Sequence, residues 1–256
     1  MSPLADIAYA WLRAHTARVV GLNAPQGAGK TTLCAELVRR AALDGERWVA
    51  LSIDDFYLRR AEQAELATRH PDDPLMAVRG APGTHDVALG VATLDALIHD
   101  TCICRIPRYD KSAHGGLGDR HAPSEFSLVE PPIHRILLEG WILGFAPQGA
   151  GGALARVDAA LSTYAPWTTR LDALIQLRMT DSTSVLRWRV EAEQKLRTSG
   201  RGAMSDEQAA VYIARFLPLY DVYPGAMAAN PPVFPYLHLW IGPDRLPAEP
   251  PPRDLP

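Results

Sequence analysis

One junction near the N-terminus constrains the fold more than anything else in the sequence. An apolar run predicted as a strand, Arg18 to Ala24, passes through the turn Ala24-Pro25-Gln26-Gly27-Ala28-Gly29-Lys30-Thr31 into a helix from Thr31 to Leu43 whose Leu33, Leu37 and Ala41 share one face. The alternation then repeats. Strands are expected at Trp48 to Ile53, Leu171 to Met179 and Tyr236 to Ile241, with short buried strands at Cys102 to Ile106 and Arg135 to Leu138. Helices are expected at 2 to 15, 86 to 99, 182 to 196 and 205 to 220, with a further one after the break Gly149 to Gly152. Strands alternating with helices indicate an α/β fold with a mostly parallel sheet covered on both faces. With 256 residues and 47% of them hydrophobic, the chain is long enough to bury a large core as one domain over residues 1 to 242.

Three segments stand apart from this pattern. A loop-rich insertion at about 58 to 84 carries Pro71, Pro74, Pro82 and Gly83, and a polar stretch at about 107 to 132 is too long for a plain connector. From Pro243 to Pro256 six of fourteen residues are proline, which predicts an extended arm rather than a folded element.

The turn at residues 24 to 32 ends in Gly29-Lys30-Thr31-Thr32 between a strand and a helix, the context a P-loop requires. Gly27 and Gly29 let the backbone curl round a polyphosphate, with Ala28 between them in the binding loop, so that amide hydrogens and the positive helix end face it. Lys30 is expected to reach the β and γ phosphates, Thr31 to ligate Mg²⁺ through its hydroxyl, and Thr32 to complete the cradle. Only three of the 26 cationic residues are lysines, so the position of Lys30 is informative. The usual pattern begins with glycine where this chain has Ala24.

Chemistry on a bound triphosphate also needs carboxylates at strand ends. Ile136-Leu137-Leu138-Glu139 closes one strand in a single acid, and Ser52-Ile53-Asp54-Asp55 closes another in two. Both ends are expected on the carboxyl edge of the sheet, where α/β sites form.

The segments Asn23 to Thr32, Ser52-Ile53-Asp54-Asp55-Phe56-Tyr57, Pro107-Arg108-Tyr109-Asp110-Lys111-Ser112 and Leu137 to Phe145 together resemble the plant-type ATP-dependent glycerate kinases. That family belongs with the phosphoribulokinase, uridine kinase and pantothenate kinase group. Trp188-Arg189, Ala192-Glu193, Leu196-Arg197 and Met204-Ser205-Asp206-Glu207 extend the resemblance, which covers residues 19 to 245. It implies a three-layer α/β/α P-loop kinase with a helical lid at about 182 to 205 and a substrate-binding insertion. The implied reaction moves the γ-phosphate of ATP to the 3-hydroxyl of D-glycerate. By the resemblance Asp54 is the proton acceptor, with Asp55 serving substrate, Mg²⁺ or the helix start, and Glu139 gathers the metal's water shell. Arg108 suits a bidentate clamp on the acceptor carboxylate, beside Tyr57, Tyr109 and Lys111. His85 either touches substrate or is a packed imidazole. Arg187 and Arg189 lie roughly 200° apart round a helix, whereas Arg189 and Arg197 are two turns apart on nearly one face and are expected to face phosphate. Other acceptors, such as a nucleoside, pantothenate or another hydroxy acid, share the same chemistry, and a non-catalytic nucleotide-binding regulator is the reading from outside enzymes.

The net charge of −3, from 26 cations and 29 acids, gives no basic field for nucleic acid and favours a small-molecule partner. Cys34, Cys102 and Cys104 offer no disulfide framework, and Cys102 and Cys104 are spaced to share one face of a strand. No stretch approaches a membrane span or a signal peptide, so a cytoplasmic location is expected.

Overall fold

All five residues of β1 (Val19–Asn23) are buried, which is the mark of a strand covered on both faces and paired on both edges. The computed structural model of the chain describes residues 2 to 198, 200 and 204 to 251. Part of the expected lid, at 199 and 201 to 203, and the last five residues of the expected tail lie outside the described residues.

In chain order the strands are β1, β2 (Trp48–Ser52), β3 (Cys104–Ile106), β4 (Tyr109–Asp110), β5 (Asp119–Arg120), β6 (Ser127–Val129), β7 (Arg135–Glu139), β8 (Ala173–Met179), β9 (Tyr236–Ile241) and β10 (Pro247–Ala248). The helices are α1 (Pro3–Arg13), α2 (Lys30–Leu43), α3 (Arg60–Arg69), α4 (Val87–His99), α5 (Ala113–Gly116), α6 (Ala155–Leu161), α7 (Ala165–Thr168), α8 (Ser184–Thr198), α9 (Asp206–Ala214) and α10 (Leu217–Ala229). The central sheet has the order β10-β9-β8-β1-β7-β2, with every pair parallel except β10 with β9. Helices surround it, giving the three-layer α/β/α arrangement. α10 is tied to the sheet where the Gln176 amide of β8 donates to the Pro224 carbonyl at 3.0 Å.

Several local expectations change. The run at 102 to 106 does not enter the central sheet. β3 pairs only with β6, in a two-stranded ribbon, and Cys102 lies before the strand, exposed, while Cys104 is buried. The insertion at 58 to 84 holds a helix, α3, although its hydrophobic spacing is weak; Gln63 fastens it by donating to the Met76 carbonyl at 2.7 Å. The helix expected at 205 to 220 is two helices, α9 and α10, with Pro218 in the first turn of the second. The start of the tail is folded rather than an arm: β10 closes the sheet edge, and the Trp188 indole donates to the Pro243 carbonyl at 2.8 Å.

His85 is a packed core imidazole. Its residue bridges Tyr57 across an isolated antiparallel pair, its ring lies 4.6 Å from the Tyr57 ring, and Nδ1 shares a 2.7 Å hydrogen bond with the Tyr164 hydroxyl. The next residue, Asp86, starts α4 by accepting the Leu89 amide at 3.0 Å. Only 6% of His85 is exposed, and burial, opposed by the charge of Asp54, lowers its pKa from 6.5 to about 4. Between those two values the unfolded chain carries more protons than the native one. Stability therefore falls as pH drops, by up to ~1.4 kcal/mol per pH unit. We expect His85→Gln to be less stable than the parent at pH 7 but to lose less on acidification to pH 4.5, in urea unfolding. Parallel losses in the two proteins would place the titrating group elsewhere.

Candidate active site

α2 begins at the loop that its own sequence builds. Gly29 caps the helix at φ +88°, and Gly27 sits at φ +76° with its α-carbon so close to α8 that an added Cβ would lie 2.6 Å from Trp188 Cβ. Both positions demand glycine. Ala24 is fully buried and is not a positive-φ position, so the strand end works without the glycine usual there. The Lys30 ammonium donates to the Ala24 and Pro25 carbonyls, each at 3.0 Å, and so spans the loop. From behind, the Gln26 amide donates to the Tyr220 hydroxyl at 3.0 Å, fixing the loop to α10.

The loop opens on a cleft of about 350 Å³. Thr31 faces it beside Glu139, the last residue of β7, and its hydroxyl donates to Glu139 Oε1 at 2.8 Å. Burial raises the Glu139 carboxyl, against the pull of Lys30, and burial lowers the Lys30 ammonium, against the pull of Glu139 and Asp54. Asp54 follows β2 on a short 3₁₀ turn that Ser52 starts by accepting the Asp54 amide at 3.3 Å. Its Oδ1 accepts the Tyr57 hydroxyl at 2.8 Å and its Oδ2 the Lys111 ammonium at 2.5 Å. Burial alone would raise the Asp54 carboxyl, yet the Lys111 pair, Lys30 and Tyr57 outweigh it and hold the group well below the ordinary carboxylate range.

The cleft thus gathers Gly27, Gly29, Lys30, Thr31, Thr32, Asp54, Tyr57, Lys111, Glu139 and Arg189. Ala28 is buried in the loop itself. Other expected residues are not on the wall. Arg108 is consumed by structure: Nη1 pairs with Asp55 at 2.9 Å and Nε donates to Ser127 at 2.8 Å, while Asp55 also accepts the Tyr109 amide at 3.2 Å. Asp55 therefore ties the substrate loop to the 3₁₀ turn. Tyr109 packs edge-on to Tyr57 at 5.3 Å, behind the wall, and His85 stays in the core. Arg197 turns to the Met204 carbonyl and the Asp206 carboxylate, tying the end of α8 to the start of α9. Arg189 does face the cleft; Glu193 pairs with it at 2.6 Å and the Tyr212 ring lies 4.6 Å away.

Arg79 and Tyr212 also line the cleft, and neither carries a local signal. Arg79 lies in a proline-broken stretch without periodicity, and Tyr212 reads as one more aromatic on a helix. The neighbouring Gly80-Ala81-Pro82-Gly83 turn, just before His85, was the available hint that this segment is held in a defined shape.

No protein-family model matches the chain. Over 225 residues it is 39% identical to the chloroplastic D-glycerate 3-kinase of Arabidopsis thaliana, a match over 84% of this chain and 49% of that protein. The chain thus spans about half the length of that relative. It is 34% identical over 227 residues to the uncharacterized kinase mug58 of Schizosaccharomyces pombe, covering 82% of each. Its fold superimposes on D-glycerate 3-kinase from Cryptococcus neoformans var. grubii with a TM-score of 0.83, over 97% of this chain and 99% of that one, at 24% identity. With the glycine turn, the lysine and both strand-end acids in one cleft, and with relatives of this identity and coverage, the chain belongs to the family of P-loop kinases that includes D-glycerate 3-kinase.

Proposed function

We propose that the chain transfers the γ-phosphate of ATP to the 3-hydroxyl of D-glycerate. The observation that carries the reading is the shared cleft: Lys30 of the loop and an ionised Asp54 face one space, with Lys111 on the acid. The similarity to a relative named D-glycerate 3-kinase supports this acceptor. Backbone amides at the start of α2 and Lys30 hold the β and γ phosphates. In the lid expected at about 182 to 205, α8 carries Arg189, which faces the cleft and would meet the transferring group. The acceptor oxygen forms its bond to the γ-phosphorus as the bond to the bridging β,γ oxygen breaks, and the hydroxyl proton passes to Asp54. Lys111, Lys30 and Tyr57 hold Asp54 ionised, so the carboxylate is available to accept that proton.

The donor set at Thr31 and Glu139 suits Mg²⁺: a hydroxyl and a carboxylate 2.8 Å apart, both hard oxygen ligands. Among the described residues no group of three or more His, Cys, Asp or Glu forms a protein-only cage, which matches a metal that keeps waters and substrate phosphates as its other ligands. When bound, Mg²⁺ supplies neutralisation of phosphate charge. Thr31 would hold it through its hydroxyl and Glu139 through its water shell. No described helix is long and apolar enough to cross a membrane, and three free cysteines accord with a reducing cytoplasm.

An ATP-consumption assay across hydroxy acids and nucleosides tests the reading. D-Glycerate alone should stimulate turnover, with 3-phosphoglycerate as product; stimulation by a nucleoside or by pantothenate instead would replace the acceptor. We expect Lys30→Ala to lose turnover by ~10³-fold or more with the unfolding transition preserved, since its charge is spent on phosphate. Normal turnover by a folded Lys30→Ala protein would remove the cradle. Asp54→Asn should keep ATP binding, measured by calorimetry, and lose ~10²-fold or more in kcat. An unchanged kcat would take the proton acceptor away from Asp54.

A further inference from the structure

Among the described residues four cations line the cleft, Lys30, Arg79, Lys111 and Arg189; Lys30 belongs to the glycine loop, and two of the other three are already paired with acids. Lys111 pairs with Asp54 at 2.5 Å and Arg189 with Glu193 at 2.6 Å. Arg79 differs. Among the described residues no carboxylate oxygen lies within 4.0 Å of its guanidinium. Backbone carbonyls hold it instead: Nη1 donates to Gly116 at 2.9 Å and to Leu117, and Nη2 to Lys111 at 3.3 Å. The Tyr109 ring lies 5.7 Å from Cζ, and the Arg79 carbonyl accepts the Tyr212 hydroxyl at 3.2 Å. Carbonyl dipoles fix the fork in space but leave its charge uncompensated. A planar cation prepositioned in this way and facing a cleft is matched by a planar anion.

We infer that Arg79 is the specificity residue that reads the acceptor's carboxylate, an inference that rests on the acid acceptor argued above. Arg108 does not line the cleft; its Nη1 is paired with Asp55 and its Nε donates to Ser127. Arg79 also touches the backbone of the residue whose ammonium sits on Asp54, so one arginine sets both the anionic end of the acceptor and the loop bearing Lys111. A hydroxy acid held at its carboxylate by Arg79 then presents its far hydroxyl to Asp54. A neutral polyol or amide would gain no such hold.

The test compares D-glycerate with its uncharged amide in the parent, Arg79→Lys and Arg79→Met, with ATP affinity and unfolding as controls. In Arg79→Met the KM for D-glycerate should rise by ~10- to 100-fold, the KM for ATP should move by less than about 2-fold, and the preference for acid over amide should collapse. Arg79→Lys, which keeps the charge but not the fork, should fall between. Equal losses for acid and amide, with the preference intact, would mean that Arg79 only shapes the loop, and the inference would be overturned while the kinase reading stands. A parent protein inactive toward D-glycerate but active on an uncharged acceptor would sink both.

Discussion

The site depends on the register of three parallel strands. Glu139 at the end of β7 is paired with Leu22 of β1 on one side and Ser52 of β2 on the other. The glycine turn begins two residues after Leu22, and Asp54 lies two residues after Ser52. The order β1-β7-β2 therefore brings the phosphate loop and the two-acid turn to opposite flanks of a single buried carboxylate. Because side chains alternate with period two, a slip of one residue in β7 would send Glu139 to the other face and separate it from Thr31. Hydrogen bonding across the sheet thus sets the spacing of these side chains before any loop contributes.

Four charges crowd one cleft around the buried Glu139, and their pairing alternates in sign. Lys30 is near Glu139 and Asp54, and Asp54 is bonded to Lys111. Each acid answers to more than one base. Removal of one member leaves its neighbour uncompensated, so single substitutions here disturb electrostatics beyond the residue changed. The opposite outcomes for the two acids follow from their partners: direct ion pairing keeps Asp54 charged, while Glu139, whose hydrogen-bond partner is a hydroxyl, is pushed up by burial.

What is legible in the sequence is what local order determines. The strand, the glycine turn, Lys30 and the strand-end acids occupy contiguous runs whose chemistry is complete within a few residues, and they fall where spacing and composition place them. The side-chain roles of Arg108, His85 and Arg197 are not local. Arg108 meets Asp55 from 53 positions away, and His85 meets Tyr164 from 79 positions away. Each has a partner that competes with the ligand for the same polar atoms, and spacing along the chain says nothing about that competition. The tail shows the same limit. Proline content argues for an extended arm, but Arg245, at φ +66°, donates to the Gly27 carbonyl at 2.9 Å and pairs with Glu191 at 2.6 Å. Those contacts draw the segment after β9 over the phosphate loop.

The scarcity of lysine gains a physical meaning in this setting. Of three lysines among 26 cations, two, Lys30 and Lys111, stand in the cleft. Arginine serves where a fixed planar fork is wanted, as in Arg108 on Asp55, Arg120 on Asp86 and the Tyr57 carbonyl, and Arg79 on three loop carbonyls. A lysine ammonium is a compact charge on a flexible stem with donors in no fixed plane. Lys30 holds two carbonyls and Lys111 one carboxylate oxygen, each through a single ammonium that imposes no plane on its partners. Arginine at either place would impose its own planar geometry on those partners. The chain therefore keeps two of its three lysines in the cleft, while arginine forks such as those of Arg108 and Arg120 tie loops to the scaffold.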